Sequence, residues 1–476
     1  MLADRRLHPS AILFGAGKHI KSLALPLVLA VIGMGRGNDV WAYVFAAVLA
    51  FIVLHGLLQY ATFRYQLGDG ELVIRSGIVF RSERHVPYAR IHNFDVSQHV
   101  IHRLFGVVEV RIQTGGGSEP EGVLRAIRTS DLDAMRERVR GQELPASAPA
   151  HRDVIAVPLR ELVLAGLVEL RGIALFAGGL GLVWELGLSR VSGPSELVRG
   201  LITWALGIDT LDPFRIAVAI SALLVVIATL SVAWAIVRFY DFRVRFDGDS
   251  VQTVYGLLTR ITTTIPLRRI QSVTVAEGPF HRSLGRVAVD IASAGGSGGQ
   301  AEMERARLAP ILPAAALPQL LHDVVPDLAL DKLAWQPLAP RAGRRVFMRS
   351  VLIALPIAAL SAIVVAWWWS FGILFALVAL AAIHARAYMR HSRWAIDDDA
   401  FAIRRGWLWR RTTLVRRAKV QVVSLAESPF DRRHAMARLD VDTAGTSIAI
   451  PYLPYETAAQ LHATIAVAAA RTEFRW

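Results

Sequence analysis

The stretch "VTVAEGPFHR", residues 273–282, returns as "VSLAESPFDR" over residues 423–432. A phrase kept at a fixed spacing implies that the residues around it are copies of one folding unit, which limits the folds open to this chain. An offset of 150 sets Gly256 on Gly406, Arg269 on Lys419, Glu277 on Glu427, Pro279 on Pro429, Phe280 on Phe430, Asp290 on Asp440 and Gly295 on Gly445. The end of the unit also matches, "PILPAAALPQL" from Pro310 against "PYLPYETAAQL" from Pro451. An offset of 179 brings in a third copy, with Gly77 on Gly256, Pro87 on Pro266, Arg90 on Arg269, Ile91 on Ile270, Arg103 on Arg282 and Gly106 on Gly285. In that copy the phrase has drifted to "FDVSQHVIHRLFG". The unit is about 80 residues long, too long for a solenoid repeat and right for a small domain.

Alternation with period 2 dominates each copy. "ELVIRSGIV" and "VVEVRIQT" in the first, "RVAVDIAS" in the second and "ARLDVDT" in the third predict strands with one buried face. Acidic turns join the first two strands at Asp69-Gly70, Asp247-Gly248 and Asp397-Asp398. Helical stretches close the copies: "TSDLDAMRERV", capped by Thr129 or Ser130, then residues 317–325 and 455–468. Six or seven short strands and one terminal helix predict a small antiparallel barrel or sandwich.

What separates the copies is apolar. The chain is 54% hydrophobic yet carries 53 Lys and Arg against 39 Asp and Glu, a formal charge of +14. That pairing fits an integral membrane protein with its charged parts in the cytoplasm, and is too apolar for a nucleic-acid binder. The absence of cysteine excludes disulfides, thiol catalysis and cysteine-ligated metals. Six apolar stretches form three close pairs, 20–35 with 41–59, 172–188 with 214–237 and 350–367 with 371–385. They predict six transmembrane helices in three hairpins. A retained first helix is preferred to a signal peptide, since no small-x-small cleavage site follows it. Ionisable residues sit near the ends of these stretches, His55 excepted, which argues against a transport path.

Arginine fixes the expected orientation. Arg5, Arg6, Arg64, Arg238, Arg243, Arg386 and Arg390 flank the spans, whereas the connections inside the pairs carry no net positive charge. The last of those connections is the aromatic triplet Trp367, Trp368 and Trp369. Both termini and all three soluble segments are therefore expected in the cytoplasm, with the chain in a bacterial inner membrane. The domain map is an N-terminal segment and hairpin over 1–60, a first domain over 61–141, a hairpin over 160–237, a second domain over 238–327, a hairpin over 346–388 and a third domain over 391–472.

The runs "RSGIVFRSERHVPYARIHNF…HRLFG", "YGLLTRITTTIPLRRIQSVTVAEGPFHRSLG" and "RRGWLWRR…AESPFDRR" resemble the bacterial pleckstrin-homology (PH) domain membrane proteins of the YdbS/YdbT-like family. The resemblance covers most of the chain and implies three PH-like domains in a multi-pass membrane protein. The third copy departs most, with Arg416 where the others have proline and Ala435 where they have glycine, and is expected to be the divergent, more structural one. Many eukaryotic PH domains hold phosphorylated headgroups near the first strand-strand loop. Here that loop is acidic in all three copies, which argues against such capture.

The repeated turn, Pro279, Phe280 and Arg282 with Pro429, Phe430 and Arg432, is the candidate interaction surface. Its structural alternative is a strand connection in which proline sets the bend, phenylalanine plugs the barrel and arginine bonds a carbonyl. Glu277 and Glu427 are expected in salt bridges with nearby arginines rather than in catalysis. Arginine pairs, Arg268-Arg269 foremost and then Arg404-Arg405, Arg410-Arg411 and Arg416-Arg417, are candidates for anionic lipid headgroups. His85, His92, His99 and His102 lack a recognised ligand spacing, and no metal, cofactor or catalytic residue is expected. The glycine runs 115–117 and 295–299 lack the context of a phosphate cradle and are expected as hairpin loops. The expected function is a non-enzymatic membrane scaffold for protein–protein interaction, with envelope maintenance as its setting, an expectation no single residue carries. Its expected partners are membrane lipids and either a small PH-domain membrane relative or a second copy, with no nucleic acid. Lipid handling at the cytoplasmic leaflet is the alternative.

Overall fold

The computed structural model describes residues 5–12, 23, 30, 39–77, 81–114, 122–140, 152–169, 171–185, 213–247, 249–293, 306–328, 330, 333–364, 367–444 and 446–471. The expected span 20–35 and both glycine runs lie largely or wholly outside these residues. The chain divides into two compact units, Met1–Thr264 and Ile265–Trp476, and the division falls inside the second repeat.

Each repeat contributes two short antiparallel sheets. In the first, β2 (Arg64–Leu67), β3 (Glu71–Ser76) and β4 (Ser82–Pro87) form one meander, and β5 (Ile91–His99), β6 (Val107–Thr114) and β7 (Gly122–Arg128) form the other. The alternating pattern of the sequence puts one face of each sheet inward. Tyr65, Leu72, Ile74 and Val86 from one meet Val96, Val110, Ile112 and Leu124 from the other. Leu132 and Met135 of the closing helix, Thr129–Arg140, complete that core. Each such side chain contributes about 1.5–3 kcal/mol by leaving water. The third repeat is built alike from β16 (Arg393–Ile396), β17 (Ala400–Arg405) and β18 (Arg410–Arg416), then β19 (Val420–Ala426), β20 (Met436–Thr443) and β21 (Ser447–Pro454). Phe401, Val415, Leu439, Ile450 and Leu453 pack there under Leu461 and Ile465 of the helix Tyr455–Arg471.

The sheets do not stop at the limits of a repeat. The second repeat supplies β9 (Arg243–Asp247), β10 (Ser250–Tyr255) and β11 (Thr259–Pro266), then β12 (Ile270–Glu277), β13 (Arg286–Ser293) and β14 (Ala306–Pro313). In the first unit β11 lies antiparallel against β5, giving one seven-stranded sheet ordered β7-β6-β5-β11-β10-β9-β8. In the second unit β12 lies against β18, giving β14-β13-β12-β18-β17-β16-β15. The second sheet of one repeat is thus continued by the first sheet of the next. A leading strand also precedes each first meander: β1 (Arg5–Arg6) pairs with β2, β8 (Arg152–Ala156) with β9, and β15 (Gln336–Pro337) with β16.

The described residues do not support six spans in three hairpins. Among the described residues three helices are long and apolar enough to cross a membrane, Val40–Thr62, Ile220–Phe239 and Trp368–His391. Pairing Leu159–Glu169 with Gly172–Gly179, bent by 66°, would make a fourth. The helix Gly172–Glu185 has only 14 residues, about 21 Å of the roughly 30 Å needed. An ion pair between Glu169 and Arg171, 2.7 Å apart, marks its break from the helix before. The helix Ala342–Val364 spends its first turns on Arg344, Arg345 and Arg349, and its apolar remainder, about 22 Å, is interrupted by Pro356. In the first unit the helix Leu159–Glu169 packs closely on Pro213–Phe239. A methyl on Gly166 would sit 2.5 Å from the Val232 Cα, the small-residue contact by which membrane helices approach.

Candidate functional site

The repeated phrase is one device built three times. A strand ends, a five-residue helix follows, and the chain turns back through a left-handed residue. The helices are Val100–Leu104, Pro279–Ser283 and Pro429–Arg433. The third helical residue accepts a hydrogen bond from the N-cap backbone N–H each time. His102 Nδ1 takes it from His99 at 3.2 Å, His281 Nδ1 from Gly278 at 3.3 Å and Asp431 Oδ2 from Ser428 at 3.0 Å. Pro279 and Pro429 open their helices, where the missing N–H has no helical partner to lose. Gly106 (φ +62°), Gly285 (φ +60°) and Ala435 (φ +53°) end them. The alanine departure therefore leaves the turn unchanged, at the steric cost of a Cβ in the left-handed region. Arg416 likewise keeps the extended conformation of its proline counterparts, with φ −71° against −59° at Pro87 and −60° at Pro266.

Between the cap and the turn sits the arginine of the phrase, and it reaches into the following repeat. Arg103 donates to the Leu257 carbonyl at 2.6 Å. Arg282 donates to the carbonyls of Trp407 and Leu408 at 2.7 and 3.2 Å. Both targets follow a glycine of positive φ, Gly256 at +113° and Gly406 at +85°. A Cβ on those glycines would fall 2.0 Å from the Thr259 carbonyl oxygen and 2.1 Å from that of Trp409, so glycine alone makes these turns.

The strands beside the phrase dock in one register at both junctions. Val96 faces Thr262 and Gln98 faces Arg260; Val275 faces Thr412 and Glu277 faces Arg410. The last two side chains form a forked ion pair, with the Arg410 Nη2 2.8 Å from the Glu277 Oε1, and the contact raises the Arg410 pKa. The salt bridge expected of Glu277 is thus present. Glu427 has none among the described residues.

Other candidates have other surroundings. Phe280 does not plug a barrel: it is 52% exposed, because its short helix lies outside the sheet and points the ring outward. Phe430 is half-buried under the Arg345 guanidinium, 5.4 Å from its centroid, and Arg345 also pairs with Asp431. Arg268 is exposed and Arg269 half-buried on the turn Leu267–Arg269, and burial together with the neighbouring Arg268 charge lowers the Arg269 pKa. The remaining arginine pairs are largely engaged internally. Arg410 binds Glu277, Arg416 binds Asp327, and Arg404 stacks 4.4 Å over Trp335. His85 contacts Glu71 at 2.9 Å and Glu83 at 3.3 Å, and His99 contacts Thr259 at 2.5 Å. Among the described residues no group of three metal-ligating side chains converges.

The junction partners and the leading strands are what sequence reasoning missed. The only available signal was that the arginine of the phrase and the glycine of the first meander recur together in the repeats. A cleft of about 230 Å³ also opens beside the first repeat, lined by Gly56, Gln59, Tyr60 and Phe63 at the end of a span and by Arg84 and Arg125.

The bacterial PH domain matches the chain three times, over residues 21–143, 200–323 and 346–469. Each match takes in the apolar stretch that precedes a pair of sheets as well as the sheets themselves. A protein named UPF0699 transmembrane protein YdbT, from Bacillus subtilis (strain 168), is 24% identical to the chain over 94% of both. No solved structure matches it. With the matches spanning well over half its length, the chain belongs to the bacterial PH domain family, as a membrane protein carrying three copies of the domain.

Proposed function

We propose that the protein is a non-enzymatic scaffold of the inner membrane, displaying its three PH-like domains in the cytoplasm to bind another protein. One observation carries this reading. Both internal junctions show the second sheet of a PH-like domain accepting the first sheet of another, strand edge to strand edge, with an arginine closing on the incoming turn. Strand addition of this kind is a general mode of protein recognition. The binding partner on this reading is itself PH-like, either a small single-domain membrane relative or a second copy. The family is named for a domain and not for a reaction, and the candidate residues form no acid–base constellation. The arginine-rich flanks of the spans support the cytoplasmic orientation. Envelope maintenance is the cellular setting we attach to it.

The test is a cross-linked pull-down of the tagged full-length chain in native lipid particles, with protein and lipid read by mass spectrometry. A PH-domain protein enriched in stoichiometric amount supports the scaffold, and a selected lipid without a protein overturns it.

The cleft beside the first repeat favours a second reading, lipid handling. Its walls combine Tyr60 and Phe63 with Arg84 and Arg125, apolar and cationic together at the end of a span. At about 230 Å³ it falls below the usual range of small-molecule pockets and suits a headgroup rather than a whole lipid. Retention of one anionic lipid that Arg125→Glu abolishes would support it.

A further inference from the structure

Among the described strands, two edges lack the neighbour that their counterparts have. Among the described strands β19 pairs only with β20, and β4 only with β3. The counterparts of β19, namely β5 and β12, are each covered by the first sheet of the next repeat, and the counterparts of β4, namely β11 and β18, do the covering. The third repeat therefore presents an acceptor edge and the first a donor edge. From β19 and β4 we infer that a second copy of this chain fills them: β4 of one copy adds to β19 of another, in the register of the two internal junctions. The inference rests on the scaffold reading and names its partner and contact residues.

The side chains at the two edges match. In the shared register Arg81 takes the place of Arg410 and Arg260, and Glu427 takes the place of Glu277, so the forked pair of the internal junction recurs as Glu427 with Arg81. Neither side chain has an ion-pair partner among the described residues. Val422 meets Val86, Ser424 meets Arg84, and Ala426 meets Ser82 in the same alignment. Arg432 is exposed and without a side-chain partner among the described residues, where Arg103 and Arg282 each hold a turn. In the complex it reaches toward Gly77, whose φ of +118° matches Gly256. Arg81, just before β4, and Glu83, Arg84 and His85 along it are all exposed, and such charges discourage indiscriminate edge pairing while the Arg81–Glu427 match selects this register. Acceptor and donor differ, so the contact is head-to-tail and repeats into a ring or a row.

The absence of native cysteine makes the test direct. Full-length chains carrying Ala426→Cys under one tag and Ser82→Cys under another are co-expressed and oxidised in native membranes. The expected product is a disulfide joining the two tags. It should fall about tenfold with Glu427→Arg on the first chain, which removes an ion pair and puts two like charges opposite each other. Arg81→Glu on the second chain should restore it, and Arg432→Ala should weaken it independently. No mixed-tag product, with only same-tag or unlinked chains recovered, overturns the inference. If the same membranes still yield another PH-domain protein by pull-down, the scaffold reading survives that failure. If they yield none, both fall.

Discussion

The stretches that hold strands β12 and β19 are nearly the same sentence, "IQSVTVAE" over 270–277 and "VQVVSLAE" over 420–427, in very different company. Every residue of β12 from Ile270 to Val275 is buried. In β19 only Val420 is buried, and Val422, at the place of Ser272, is 54% exposed. The neighbours differ as well: β18 covers the edge of β12, and no described strand covers that of β19. A sequence can thus fix a strand, its face and its turn while leaving open what completes its sheet.

The largest effect that would break this comparison is in amide exchange. In chains held apart in dilute detergent, the outward amides of β19 should exchange at least a thousandfold faster than those of β12, because only the latter must open a junction. Equal protection would show that β19 is covered within one chain. Next comes Glu277→Ala, which leaves Arg410 without its carboxylate in a three-quarters-buried setting and should cost about 2 kcal/mol. Glu427→Ala in separated chains should stay within about 0.5 kcal/mol. Chemical denaturation followed by proteolysis of the second unit reads both.

A third test contrasts the caps. Burial, helped by the His99 charge, lowers the His102 pKa from its usual 6.5 to about 4, whereas the third repeat caps with Asp431. The unfolded chain binds the extra proton between these values. The first repeat should therefore hold this stability above pH 6.5 and lose it as the pH falls toward 4. A His102→Asn variant whose acid profile is unchanged would refute that role. The smallest expected effect is Ala435→Gly, which removes the strain of a left-handed alanine and should stabilise the third repeat by about 1 kcal/mol, seen as a rise in its melting temperature.

The repeats, their alternating strands, their closing helices and three of the spans were legible because each is written locally, in periodicity or in an apolar run of sufficient length. The six-span count failed where apolar composition ran on without helical length, at Gly172–Glu185, or where arginines occupied the first turns, at Ala342–Val364. At the candidate site, a carbonyl bond for Arg282 could be anticipated, but the owner of the carbonyl could not. Trp407 lies 125 residues away, and no local pattern marks that pairing. The leading strands were invisible for a plainer reason, since two residues such as Arg5–Arg6 or Gln336–Pro337 are too few to show a period. Phe280 misled because a large apolar residue beside a sheet suggests burial, whereas its five-residue helix projects it outward.

The borrowed sheet edges also set a clock on biosynthesis. Strand β5 is complete long before β11, since Thr259 follows its partner His99 by 160 positions. At ordinary translation speeds that interval is roughly 10–30 s. Throughout it β5 stands open, and the helix Pro213–Phe239 must enter the bilayer before the covering strand is made. Folding on this plan is vectorial: the second sheet of each of the first two domains waits for the domain that follows it.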